Sequence, residues 1–434
     1  MIKSLLLSKL VHLFMALPNP SQNYIKKIEQ ILYNFLWNNK PDRIKRTKAI
    51  QKYGFDGLQM IDITSFLRGL KLSWLKRLAN STAIWTSVAR LEQLDPMNLL
   101  TYGTAKLKQI ALKIRNVFWR EVIQALTQFN QLVELNPEEI LREKLWFSDY
   151  TKFKTSMVKQ WDCNGLRFIG DLFNPINGNI LTREEIKRQY RISMTFLCYE
   201  SLIRSLPQAI RNRTHTAIER PNMPFKLQLF VNQPNTSKYC YSIFVNALRK
   251  KCSSADVKLE QKWNRDIGFH LRGSLLHVRK ATKSVYLIYL HYRIINRIIT
   301  TNKFLHIIQI SENSTCTFCT HHMETITHLF WHCPTVQTFI KNIDQELYDQ
   351  YQIHFQHNIH SWFFLQDVEE LQTLLITVAK AVIYKARNAG GKPEVSHMMN
   401  LLKIHAQNEQ LASHMNNKMD IFEKKWKTLK HILA

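Results

Sequence analysis

Apolar residues recur at spacings of three and four along most of this chain, and that period predicts helices. Tyr24, Ile25, Ile28, Ile31, Leu32, Phe35 and Leu36 form one such stripe. Asn19-Pro20 ahead of it reads as an N-cap with proline at the first helical position. Ile63, Phe66, Leu67, Leu70, Trp74 and Leu78 form the next, with Asp62 placed to cap it. Leu107, Ile110, Ile114, Val117, Phe118 and Val122 read as a further stripe, backed by Lys106, Lys108, Lys113, Arg115 and Arg120. Asn136-Pro137-Glu138-Glu139 opens another helix. Thr182 with Glu185 matches a capping box ahead of Ile186 and Tyr190. A helical run is expected over 285–305, and Asn388 to Pro393 separates the last two helices, the final one ending in basic Glu423 to Lys427. Asp56-Gly57 marks a turn, and residues 221–238, with three prolines, read as a loop or linker. Strand signals are few, and neither a coiled-coil heptad nor a fixed-period repeat is found. The expected fold is mostly α.

Composition strengthens this. Only 11 glycines occur in 434 residues, which leaves few tight turns. That length can hold two to four domains and a substantial core. Sixty Lys and Arg face 33 Asp and Glu, a formal charge of +27. Such a surplus calls for a polyanionic partner, nucleic acid first and a membrane surface second. The start, MIKSLLLSKLVHLFMALP, imitates a signal peptide. Lys9 and His12 interrupt its apolar stretch, no small-residue cleavage site follows, and it is too short to span a bilayer. It reads as an amphipathic helix.

The most specific chemistry lies in C-T-F-C-x8-H-L-F-W-H-C, residues 316–333. Structural zinc takes four thiolate or imidazole ligands in a tetrahedron, and a C-x2-C turn supplies two of them. Cys316, Cys319, His328 and Cys333 are the expected Zn2+ ligands, with His332 the rival to His328. The plainer alternative is a set of buried cysteines with a core histidine. Cys163, Cys198, Cys240 and Cys252 are scattered, and the total of seven is odd. No disulfide framework is visible, so a reducing, intracellular setting (nucleus or cytoplasm, not secretion) is expected. Arg43, Lys45, Arg46 and Lys48 place four positive charges within six residues, in a basic loop from Lys40 to Lys52. They are the first candidates for phosphate contact. Arg293, Arg297 and Lys303, which precede the Cys/His cluster, are the second. Trp331 and Phe318 could stack on unpaired bases, although packing around the metal is the better reading of both. His354, His357 and His360 read as surface residues. Gly391-Lys392 lacks the upstream glycine of a phosphate loop.

Several stretches, in order, make the chain resemble the C-terminal part of LINE-type, non-LTR retrotransposon reverse transcriptases. They are Ile2-Lys3-Ser4 to Pro20, Phe35-Leu36-Trp37-Asn38-Asn39-Lys40-Pro41, and Gly57 to Ile63. Leu70 to Leu78, Asp171 to Tyr190, and Tyr292 to Leu305 follow. His328-Leu329-Phe330-Trp331-His332-Cys333-Pro334 is the most specific. The resemblance implies a thumb-like region that grips a template–primer duplex and a tail that contacts RNA or DNA. It also implies an aromatic-any-Asp-Asp turn that holds two catalytic metal ions, yet no two aspartates are adjacent here.

The expectation is therefore a zinc-containing, non-catalytic nucleic-acid-binding fragment that contacts RNA or DNA with little sequence preference, and no membrane. Its segments are a thumb-like helical region (1–100), a helical connector (101–220), a loop or linker with a short helix (221–255), a helical region with a zinc-knuckle-like subdomain (256–345) and a basic helical tail (346–434). The alternatives are a zinc-stapled helical interaction protein and the tail of a longer reverse transcriptase. The oligomeric state is not legible.

Overall fold

The computed structural model describes residues 7–151, 153, 156–212, 217, 223–251, 253–268, 273–355 and 358–429. The first six residues, Pro221, Cys252 and His357 lie outside these. Helices dominate, and among the described residues β-structure is limited to isolated bridges. No helix there is long and apolar enough to cross a membrane. The chain divides into two compact units. One is Met1–Lys40 with Ile61–Leu248; the other is Pro41–Met60 with Arg249–Ala434.

In the first unit the stripes become helices Gln22–Trp37, Ile63–Asn80, Thr104–Lys113 and Val117–Leu132. Asp62 caps as expected, accepting the Ser65 N–H at 2.7 Å. Asn19-Pro20 does not. Ser21, next to the helix, accepts the Tyr24 N–H instead, while Asn19 gives its own N–H to Glu121 at 2.8 Å. The stripe over 107–122 is two helices, because Asn116 accepts the Trp119 N–H and starts the second. Leu72, Leu75, Leu107, Val122, Ile123, Phe129 and Phe230 form their shared core. Gly69 is needed there: a Cβ on it would lie 2.8 Å from the Ser237 carbonyl oxygen of helix Thr236–Lys251. The expected capping box of Thr182 with Glu185 forms, and the helix start at Asn136 proves to be a second one, with Glu139. Residues 221–238 are not a linker in their described part. Helix Phe225–Asn232 follows Pro224 directly, and Pro234 separates it from Thr236–Lys251. The prolines mark helix starts, where a missing N–H costs nothing.

The second unit is built on helix Glu370–Ala389, buried on nearly every side from Thr373 to Tyr384. A helix apolar all round belongs in a core. It ends on Gly390 at φ 69°, the expected break. Helices Ser274–Ala281 and Val285–Ile295 pack against it. The expected run over 285–305 is interrupted after Ile295, with Arg297 at φ 55°, and resumes as Asn302–Ile307. The segment 41–60 joins this unit through the Asp56-Gly57 turn. Asp56 accepts the Gly273 and Leu275 N–H groups at 3.1 and 3.0 Å and contacts the Ser274 hydroxyl at 3.3 Å. Gly57 has no room for a side chain, since a Cβ would sit 2.2 Å from the Gln51 carbonyl oxygen.

Candidate metal centre

Residues 314–324 fold back on themselves. Thr315 and Met323 form an antiparallel bridge, the Cys316 N–H bonds the His322 carbonyl at 2.7 Å, and the Thr320 N–H bonds the Cys316 carbonyl at 2.9 Å. Thr320 takes the left-handed conformation, φ 60°, that closes the knuckle. This turn presents Cys316 and Cys319. The other two candidates flank a π-helical turn, His328–His332, closed by the Cys333 N–H to the His328 carbonyl at 2.9 Å. In an α-helix, five steps of about 100° would leave Cys333 about 140° round from His328. The wider turn brings them back together, and π-turns often occur at functional sites. Cys333 then caps helix Pro334–Tyr351.

The ligand atoms of Cys316, Cys319, His328 and Cys333 lie within 4.8 Å of one another. Zinc with Zn–S of about 2.3 Å and Zn–N of about 2.0–2.1 Å has tetrahedral S–S edges of about 3.8 Å and S–N edges of about 3.6 Å. Here the Cys316 and Cys333 sulfurs are 3.9 Å apart, and the Cys319 sulfur is 3.3 Å from His328 Nε2. Donor set and spacing both fit a tetrahedral metal ion. His332 is exposed and outside the cluster; His321 and His322 are exposed too.

The electrostatics fit as well. The Cys316 thiol hydrogen-bonds the Cys333 sulfur and draws Cys333 down to about 5, against the effect of burial. The Val336 and Thr335 N–H groups in the first turn of the following helix, and nearby His328, add to the pull. The same bond and burial push Cys316 up. Burial lowers His328, which favours the neutral imidazole, the form that ligates a metal.

A brace not legible in the sequence holds the knuckle in place. Glu324 is fully buried. One carboxylate oxygen accepts the Asn302 N–H at 2.8 Å and two Arg387 nitrogens at 3.1 and 3.0 Å. The other accepts the Thr317 N–H and hydroxyl at 3.0 and 2.9 Å. Asn302 also donates to the Thr315 carbonyl at 2.8 Å. The hairpin is thereby tied to helices Asn302–Ile307 and Glu370–Ala389. Metal ligands are generally oriented by such outer partners.

The basic candidates are not gathered at this centre. Arg293 donates to the Tyr384 hydroxyl at 3.1 Å, and Arg297 pairs with Asp266 while lying 4.4 Å over Trp263. Both guanidiniums are engaged within the fold. Lys303 and Lys40 are exposed. In the 41–60 segment Arg46 pairs with Asp42 at 2.8 Å, and Lys48 donates to the Phe55 carbonyl at 2.9 Å. Arg43 and Lys45 have no partner among the described residues. Phe318 is buried with its N–H 3.4 Å from the Cys316 sulfur, and Trp331 packs on Trp362 at 5.7 Å. His354 is exposed, and His360 lies on a separate short helix, Ile359–Phe364.

Residues 277–339 match the family model for zinc-binding in reverse transcriptase. The match contains all four clustered residues together with Glu324 and Asn302; Arg387 lies beyond it. No curated protein matches the chain.

Proposed function

We propose that this chain, whose residues 277–339 are related to a reverse transcriptase zinc-binding domain, is a zinc-containing nucleic-acid-binding region of a LINE-type retrotransposon protein. The observation that carries the reading is the Cys3His cluster, with its sulfur and nitrogen atoms near tetrahedral zinc edges inside the matched stretch. Cys316, Cys319, His328 and Cys333 would hold Zn2+. The ion would supply a closed structural crosslink, because four protein ligands leave no open position for chemistry. The hairpin, the π-turn and helix Pro334–Tyr351 would then behave as one folding unit, with site formation and local folding linked.

Charge supports the second half of the proposal. A surplus of +27 favours a polyanion, and the side chains of Arg43, Lys45 and Lys303 have no partner among the described residues. On this reading the chain binds RNA or DNA chiefly through phosphates and performs no nucleotide transfer by itself, since it has no adjacent aspartate pair for two metal ions. One observation favours a second reading, a zinc-stapled interaction module: Arg293, Arg297 and Arg387 each donate to an oxygen atom of the fold.

Titration of a labelled structured RNA at several salt concentrations separates the two. The leading reading expects affinity to fall with salt, at a log–log slope of about −0.7 to −0.9 per phosphate contacted. Absence of binding even at low salt would leave only the interaction module. Magnesium-dependent primer extension by the purified chain would refute the non-catalytic assignment.

A further inference from the structure

The arginines of the second unit fall into two kinds. Arg293, Arg297 and Arg387 each give at least one N–H group to an oxygen atom of the fold. Arg249 and Arg279 do not. Arg249 lies with its guanidinium carbon 4.0 Å from the centre of the Phe55 ring, and Arg279 lies 3.8 Å from that of Tyr53. Neither side chain has a carboxylate or other hydrogen-bond acceptor among the described residues. A guanidinium this close over a ring is held there by cation–π attraction, and its planar fork carries five N–H donors. That is the preorganised form of a bidentate phosphate ligand.

Both rings come from one short turn, the 3-10 segment Tyr53–Phe55, and the arginines reach it from distant parts of the sequence. The turn is held rigidly. Asp56 locks it to the start of helix Ser274–Ala281, and the Lys48 ammonium donates to the Phe55 carbonyl. The charge around it is one-sided. Lys45 and Lys52 are exposed on the same segment, and Lys280 and Lys283 are exposed beside Arg279. The segment's acids are spent, Asp42 on Arg46 and Asp56 on the buried lock; helix Ser274–Ala281 carries none. Phe55 is 42% exposed, so part of its ring remains open to a planar group.

We propose that Arg249 and Arg279, stacked on Phe55 and Tyr53 and rimmed by Lys45 and Lys52, form a platform that grips the phosphodiester backbone of single-stranded nucleic acid. The open ring favours single strands, whose unpaired bases stack on aromatics while cations follow the backbone. The platform deepens the nucleic-acid-binding reading and rests on it.

The test uses the full chain and fluorescence anisotropy with three probes of equal length: oligo(U) RNA, oligo(dT) DNA and a duplex. The wild type is compared with Arg249→Gln/Arg279→Gln, Arg249→Lys/Arg279→Lys, and a control, Arg265→Gln/Lys392→Gln, at exposed positions elsewhere. The glutamine pair should bind the single strands about tenfold or more weakly and flatten the salt slope by up to about 1.4. The lysine pair should keep the slope and still lose affinity, because an ammonium has no planar fork. It also retains charge and stem packing should the glutamine pair prove unfolded in a thermal melt. The control should stay within about twofold of wild type. A glutamine pair that binds as the wild type does, an equal loss in the control, or preference for the duplex would each overturn the platform while leaving nucleic-acid binding intact. A wild type that binds no probe at low salt would overturn both.

Discussion

Replacing Glu324 with glutamine should damage the metal centre without touching a ligand. The carboxylate is fully buried and satisfies Arg387, Asn302 and Thr317 together. Glutamine keeps the shape but removes the charge. Arg387, whose side chain is only 10% exposed, is then a largely buried cation without its counter-ion. One end of the new amide must also turn donors toward groups that already donate. Breaking a buried pair by removing one partner costs about 3–5 kcal/mol. At about 2–4 °C per kcal/mol for a unit of this size, the melting temperature should fall by roughly 6–20 °C. Zinc affinity, measured by competition with a chromogenic chelator, should fall about ten- to a hundredfold, as for other residues that orient metal ligands. Adding Arg387→Met should recover part of the loss, with a coupling of about 0.5–3 kcal/mol across the double-mutant cycle. A Glu324→Gln protein that melts within about 2 °C of the wild type and holds zinc equally would refute the brace.

Lys380 gives a pH-dependent test. It is fully buried with His291 Nδ1 at 3.5 Å, and burial holds its ammonium down to about 7. An unfolded lysine titrates near 10.4, so between about pH 7 and pH 10 the unfolded chain binds a proton that the folded one does not. This residue's contribution therefore makes stability rise with pH across that window. Lys380→Met should stabilise the fold by about 1–4 kcal/mol at pH 7, with the advantage shrinking toward pH 10 in urea melts. A pH-independent difference would argue that the lysine is charged in the fold. Removing the metal should raise amide exchange first over residues 314–340, before the core of helix Glu370–Ala389, as hydrogen-exchange mass spectrometry would resolve. Simultaneous exchange of both regions would argue that the knuckle is not a separate cooperative element.

Much of the helical layout is legible because local signals agree with the fold. Asp62, Asn136 with Glu139, and Thr182 with Glu185 cap where their spacing places them. The four metal candidates are legible as well, because a structural zinc site would constrain both residue type and spacing. The π-turn is not: an H-x4-C step reads equally well as one α-turn, and only the fold reveals the extra residue that aligns His328 with Cys333. Nor does a basic residue announce its partner. Arg293 and Arg297 look as available in the sequence as Arg249 and Arg279, yet the first two each donate to an oxygen atom of the fold, while the second two lie over aromatic rings with no acceptor among the described residues. Glu324 and Arg387 carry no local motif, and their pairing exists only once the hairpin meets helix Glu370–Ala389.

The central claim is the zinc ion at Cys316, Cys319, His328 and Cys333. X-ray absorption at the zinc edge, on protein purified without chelator and with the metal content counted in the same sample, addresses it directly. The account predicts one zinc per chain, with a shell of three sulfurs at about 2.3 Å and one nitrogen at about 2.0–2.1 Å, lost in Cys316→Ser/Cys333→Ser. A chain without zinc, a shell of oxygen and nitrogen alone, or a zinc content unchanged in that variant would contradict it.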